Sequence, residues 1–177
     1  IKEVQERLNK KLEGQFQEKD LIISLWNYQI HLNHPLISEK SLDVEAIIKT
    51  VVKELKKEQG IAYVVEMEKV NAAPIPRLIR ERIINGYHPK RSGVIQYVLE
   101  PQWYSGRKDG TGTTHGTWHS YDAHIPAVFM GWGVKPGKTF RETAITDIAP
   151  TIAQILNIEF PNGNIGEPIY EAIEIRK

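Results

Sequence analysis

Residues 43–67 have the sequence DVEAIIKTVVKELKKEQGIAYVVEM, which joins a helical pattern directly to a strand pattern. Ser41 or Asp43 can cap the helix, which is predicted to run to about Lys57 before Gly60 ends it. The apolar residues of the helix recur every three or four positions, as on the buried face of an amphipathic helix. That face consists of Val44, Ile47, Ile48, Val51, Val52 and Leu55. The following IAYVVEM predicts a strand, so this segment indicates a helix packed on a sheet.

Helical and strand patterns also alternate on both sides of this segment. Helices are predicted over 1–13, 76–84 and 148–156, with Gly14 placed to stop the first. Strands are predicted within 20–33, 94–99 and 125–132, and a turn near Trp26–Asn27 divides the first of these stretches. Such alternation favours an α/β or α+β domain, with a βαβ-like stretch whose helix at 43–57 covers a small sheet. We expect a mixed sheet with flanking helices in a single domain over 1–177. Within it, residues 20–100 form a small α+β subregion and residues 101–177 the remainder.

The composition excludes several classes of protein. The chain has 177 residues, of which 41% are hydrophobic and 25% charged, so it is neither a disordered tail nor a membrane protein. Lys and Arg total 23 against 22 Asp and Glu, a net charge of +1 that argues against a nucleic-acid partner. No apolar run approaches the roughly 20 residues needed to cross a bilayer.

Two further features concern processing and metals. The chain opens at Ile1 directly into a helical pattern without a signal segment, which suggests a processed chain, an expressed domain or a fragment. The chain has no cysteine, so any metal would need His, Asp or Glu ligands.

The stretch SGRKDGTGTTHG at 105–116 is too rich in glycine and hydroxyl residues to build a core, so it predicts a surface loop that can carry function. His115, His119 and His124 follow within ten positions, with Asp122 between the last two. Gly116 and its neighbours make a helix through His115 and His119 unfavourable, whereas an extended segment would put Asp122 and His124 on one face. His115 is the best candidate for a metal ligand, because its flexible neighbours can aim it into a cleft.

For the other candidate residues, an ordinary structural role is an alternative to a functional one. His124 is more often a core histidine and His119 a surface one. Arg107 and Lys108 could hold an anionic substrate, but solvated loop charges are the more common outcome. The tryptophans could stack on a ligand, although packing is their more common role. These tryptophans are Trp103, Trp118 and Trp132.

Three motifs in the second half resemble a known family. They are the Thr-Thr-His-Gly loop, the YDAHIP segment and ITDIAPT at the start of the last helix. Together with NYQIHLN, GIAYVVEMEKV and INGYHPKRSG upstream, they resemble the C-terminal portion of the alkaline phosphatase superfamily. The most similar branch is that of the type I phosphodiesterase/nucleotide pyrophosphatases, which includes the PafA-like bacterial alkaline phosphatases. The resemblance covers nearly the whole chain and implies an alkaline-phosphatase-like α/β fold.

The resemblance also implies a chemistry and a site. Members of this family hydrolyse phosphate esters with two zinc ions and a Thr or Ser nucleophile. The motif match makes His115 a zinc ligand. Asp122, His124 and Thr114 are then expected to support the loop or the ligand rather than to bind the metal. Asp122 has the stronger claim to orient the loop by hydrogen bonding.

Much of the family's site has no counterpart in this sequence. The nucleophile, the Asp-His-Gly zinc motif and the phosphate-contacting residues lie upstream in family members, and no Asp-His pair occurs in these 177 residues. The chain therefore resembles a fragment that supplies one metal ligand, contains no catalytic residue of its own and is inactive in isolation. A surface exposed by the missing part would allow self-association. The family's exported members imply a periplasmic or secreted location.

Two alternatives remain open. The chain could be a non-catalytic binding or accessory module whose loop at 105–119 recognises a partner. It could also belong to a related sulfatase or phosphonate hydrolase, because these enzymes share the metal scaffold and differ upstream.

Overall fold

The computed structural model describes residues 2–106, 110, 112 and 115–174. They divide into two compact units, the first ending at His124 and the second beginning at Ile125. The first unit contains the helices and the sheet around which its core forms. Its helices are α1 (Lys2–Phe16), α2 (His34–Glu39), α3 (Val44–Leu55), α4 (Arg77–Asn85) and α5 (Ser120–Ala123), with a 3₁₀ helix at Met67–Ala72. Its strands are β1 (Ile22–Trp26), β2 (Gln29–Leu32), β3 (Ile61–Glu66) and β4 (Ile95–Leu99).

The four strands form one sheet in the order β1–β2–β4–β3, and every pairing is antiparallel. The α/β class with flanking helices is therefore confirmed, but the described sheet is antiparallel and not mixed. The difference has a topological cause: β4 lies between β2 and β3 and is antiparallel to both. The strands joined by α3 thus run parallel without touching, which is a split βαβ arrangement.

Helix α3 forms and packs as its sequence predicts. The Asp43 side chain accepts hydrogen bonds from the backbone N–H groups of Glu45 (2.9 Å) and Ala46 (3.1 Å), which caps the helix. Ile47, Val51 and Leu55 are fully buried against the sheet. The central strand β4 is buried on both faces, because a second apolar cluster formed with α4 and the 3₁₀ helix covers its other side.

Helix α1 extends beyond its predicted end. Gly14 was expected to stop it, but the helix continues to Phe16. A glycine in a helix interior costs only about 1 kcal/mol relative to alanine. The burial of Leu8 and Leu12 on the same helix outweighs that cost.

The described residues of the second unit, 125–174, contain one α-helix, α6 (Ile148–Leu156), preceded by a 3₁₀ turn at Ile145–Asp147 and followed by another at Tyr170–Ala172. The buried Asp147 organises this region: its carboxylate accepts from the N–H groups of Ala144 (2.9 Å) and Glu167 (3.0 Å). A single bridge joins Val134 and Ile173.

The prediction of a strand at 125–132 is wrong, because the structure of these residues contains no strand. This segment has no ladder partner among the described residues, and Val128 and Met130 are 85% and 93% exposed. A strand needs a neighbour to satisfy its backbone groups and an apolar layer to cover its side chains. The described part of the second unit supplies neither.

Candidate functional site

The candidate site lies in the first unit, around the segment from His115 to Ala123. His115 is exposed, and the following Gly116 has φ +109°, a conformation that favours glycine. As expected from Gly116, the described residues from His115 to His119 form no helix. Arg107, Lys108 and Thr114, which were also singled out in the sequence, lie outside the described residues.

The Asp122 carboxylate stabilises the turn that follows His115. Its Oδ2 accepts a hydrogen bond from the Thr117 N–H at 2.5 Å. The pKa of Asp122 is lowered, chiefly by this N–H, with smaller contributions from the Gly116 N–H and the charge of His115. The ionised carboxylate therefore holds the backbone next to the His115 imidazole.

His119 is engaged in a structural contact. Its Nε2 lies 2.9 Å from the carbonyl oxygen of Leu99 at the end of β4, and its ring stacks on Tyr121 at 5.7 Å. Its carbonyl also accepts the Asp122 N–H at 3.0 Å, which begins α5. The expectation that Asp122 and His124 share a face of an extended segment is wrong, because residues 120–123 are helical. The exposed His124 ends that helix, and its N–H donates to the Ser120 carbonyl at 2.8 Å.

His115 opens onto a cleft of about 560 Å³ within the first unit. The turn between β1 and β2 contributes Trp26, Asn27 and Tyr28 to this cleft, and α4 contributes Arg82. Arg82 donates from Nη1 to the Trp118 carbonyl at 2.5 Å, which joins α4 to the segment that follows His115. Sequence reasoning did not identify Trp26 or Arg82. The signal for Trp26 was a large aromatic residue beside a predicted hairpin turn.

The tryptophans singled out in the sequence have different environments. Trp103 packs over Gly60, whose φ of +82° and lack of a side chain leave room for the ring. Trp118 is partly buried against the smaller apolar cluster while also lining the cleft. Trp132, in the second unit, is 64% exposed.

A metal site requires several ligating side chains that lie close together. Among residues 2–106, 110, 112 and 115–174, no three His, Cys, Asp or Glu side chains converge in a way that could hold a metal ion. Zinc sites in proteins use three or four protein ligands. The described residues by themselves do not make up such a ligand set. The same residues include no helix long and apolar enough to span a membrane.

No model of a known protein family matches the chain. Its similarity to individual proteins, in sequence and in fold, supports the resemblance to the alkaline phosphatase superfamily. Over 173 residues it is 38% identical to alkaline phosphatase PafA from Elizabethkingia meningoseptica, and the match covers 98% of this chain and 32% of PafA. It is 40% identical over 148 residues to alkaline phosphatase PhoV from Synechococcus elongatus, covering 84% of this chain and 26% of PhoV.

A third relative has a different name. It is a protein from Myroides odoratus called calcium-transporting ATPase, 61% identical over 173 residues, with 98% of this chain and 32% of the relative covered.

The crystal structure of wild-type PafA matches this chain with a TM-score of 0.92 at 38% identity, covering 97% of this chain and 33% of PafA. The chain thus spans about a third of the length of the relatives it matches.

Proposed function

We propose that this chain is the C-terminal part of a metal-dependent phosphoester hydrolase of the PafA-like branch. The observation that carries the proposal is the agreement with PafA over 97% of the chain, at 38% identity and a TM-score of 0.92. At this identity the likeness extends beyond the fold. The substrate class is accordingly a phosphate ester, of either the monoester or the diester type.

His115 supplies one ligand to a site that holds two zinc ions in the complete enzyme. Its position supports this role, since it is exposed at a cleft and belongs to the Thr-Thr-His-Gly motif. Asp122 helps to position His115 by accepting the Thr117 N–H, which holds the backbone that follows the imidazole. His124 ends the short helix that follows this segment and is proposed to support it; the same supporting role is proposed for Thr114 from the motif alone, since that residue lies outside the described residues. The remaining ligands and the nucleophile come from the part of the enzyme that this chain does not span.

The second unit supports the assignment to a larger enzyme. Its apolar side chains include several that are almost fully exposed, such as Val128, Met130 and Phe140. Monomeric proteins rarely display apolar side chains so densely, and such surfaces generally pack against another part of a protein. The absent two-thirds of the enzyme would cover these residues. Without that covering, the isolated chain would self-associate.

The isolated chain is inactive because one imidazole cannot retain zinc or supply a nucleophile. The test is an assay with 4-nitrophenyl phosphate and added zinc, performed on this chain and on the longer enzyme that contains it. We expect turnover from the longer enzyme alone. Turnover by the isolated chain that disappears in His115→Ala would contradict its inactivity.

The same assay separates the alternatives. Preferential hydrolysis of a sulfate ester or a phosphonate by the longer enzyme would instead assign it to the related hydrolases. A longer protein that hydrolyses none of these substrates would favour a binding or accessory module.

The name of the Myroides odoratus relative gives a second candidate, ATP hydrolysis coupled to calcium transport. The alkaline phosphatase is favoured, because two relatives, PafA and PhoV, and the matching crystal structure all carry that name. Calcium-dependent ATP hydrolysis without hydrolysis of simple phosphate esters would reverse this choice. We further propose a periplasmic or secreted location for the enzyme, as the resemblance implies.

A further inference from the structure

Trp26 is exposed to an unusual degree for the largest apolar side chain. It ends β1, exposes 71% of its surface and lines the same cleft as His115. Tryptophan is usually largely buried, and one held at the edge of a cleft is well suited to bind a ring. The residue lies in the first unit, whose core forms without it.

The turn that carries Trp26 is rigid. Asn27 and Tyr28 both have positive φ (50° and 59°), as in the tight two-residue turns that match the twist of a hairpin. The buried Gln96 donates from Nε2 to the Tyr28 carbonyl at 2.8 Å, and the Tyr97 N–H donates to the same oxygen at 2.9 Å. The Tyr28 ring also packs edge to face against Tyr97 at 5.7 Å. Trp26 is therefore presented from a fixed frame, which lowers the entropy lost on binding.

The other side chains of the cleft define what it can bind. Trp118 and Tyr28 extend its aromatic lining, and Arg82 contributes a positive charge. No Asp or Glu is among the described lining residues. The volume of about 560 Å³ falls within the usual range for small-molecule sites. An aromatic and cationic cleft suits an anion that carries a planar ring.

We propose that Trp26 is a binding platform on which the aromatic group of a phosphate ester stacks while its phosphate lies toward His115. This inference rests on the proposed function and adds a substrate class, esters whose organic group is a planar ring. Aryl groups and nucleobases both contain such a planar ring. Trp26 itself is a specificity-determining residue with no part in the bond-breaking step.

The test measures kcat/KM of the longer enzyme for 4-nitrophenyl phosphate, AMP and glycerol phosphate. In Trp26→Ala we expect a loss of about tenfold or more on a ring-bearing substrate, the size typical of lost ring stacking, and less than about a twofold change on glycerol phosphate. A loss confined to 4-nitrophenyl phosphate or to AMP would support the proposal and identify which kind of ring is bound. Trp26→Phe should retain most of the preference. Ile23→Ala, an exposed position on the same strand that does not line the cleft, should retain all of it.

Two results would overturn the inference. An equal loss on all three substrates would show that Trp26 supports the structure, and an unchanged preference would show that the ring binds elsewhere. Either result leaves the proposed function intact if the wild-type enzyme hydrolyses the esters. If the wild type hydrolyses none of them, the proposed function fails and this inference fails with it.

Discussion

The two units of the molecule differ sharply in how they bury apolar side chains. In the first unit, Ile47, Val51 and Leu55 of α3 are fully buried beneath a four-stranded sheet. In the second unit, Met130 and Phe140 are 93% and 96% exposed, although Met130 lies in the apolar run at 125–132. The first unit therefore contains the partners that its sequence requires. The second unit has apolar side chains that its described residues leave largely uncovered.

The largest expected difference between the units is in the response to removal of an isoleucine side chain. Ile47→Ala should lower the free energy of unfolding by about 2–5 kcal/mol, because it leaves a cavity in the core. Ile145→Ala, which removes a 75% exposed side chain in the second unit, should change it by no more than about 0.5 kcal/mol. Urea denaturation followed by circular dichroism measures both. Equal losses would show that the second unit has a core of its own.

A smaller effect is expected at the start of α3. Asp43→Ala removes the acceptor of two backbone N–H groups and should lower the free energy of unfolding by about 1 kcal/mol. Asp43→Asn keeps an acceptor of similar shape and should cost much less. The same urea titration measures both variants. If the two substitutions destabilise equally, the loss comes from the charge and not from the cap.

The first unit should also lose stability in mild acid through His31 on β2. Burial lowers the pKa of His31 from its ordinary value of 6.5, so the unfolded chain binds a proton more readily than the folded chain. The stability linked to His31 is present above pH 6.5 and is lost as the pH falls through the lowered folded pKa. The free energy of unfolding should be lower at pH 5.5 than at pH 8, and this difference should be smaller in His31→Gln than in the wild type. An unchanged difference would assign the acid sensitivity to other groups.

The smallest effect in the isolated chain is expected in the second unit. Met130→Ser replaces an exposed apolar side chain, so the isolated chain should unfold at nearly the wild-type urea concentration. In the longer enzyme the same residue is expected to be covered, and the substitution should lower Tm clearly. A Tm of the longer enzyme that does not change would show that Met130 remains exposed there.

Most of the elements that the sequence predicted well have their partners within the first unit, while α6 of the second unit, predicted over 148–156 and found at Ile148–Leu156, is also confirmed. The apolar spacing of α3 and the strand pattern of β3 both correspond to buried faces. The turn near Trp26–Asn27 was also predicted, since an apolar run ends there and an alternating pattern follows. The antiparallel sheet was not predicted, because no local pattern shows that β4 inserts between β2 and β3.

The strand pattern at 125–132 illustrates the opposite case. Its apolar residues predict a buried strand, but the described residues provide no neighbouring strand to pair with it. Periodicity reports the environment for which a segment is suited and does not show where its partner lies. The side chains at the site behave similarly. The contact between His119 and the Leu99 carbonyl, and the position of Trp26 beside His115, depend on tertiary structure that spacing does not encode.

The most direct test of the account is the zinc content of the longer enzyme after purification and dialysis, measured for the wild type, His115→Ala and His34→Ala. His34 is an exposed histidine at the start of α2 and serves as the matched control. We predict that His115→Ala retains substantially less zinc than the wild type and that His34→Ala retains as much. A His115→Ala enzyme with the full wild-type zinc content would contradict the assignment of this imidazole as a metal ligand.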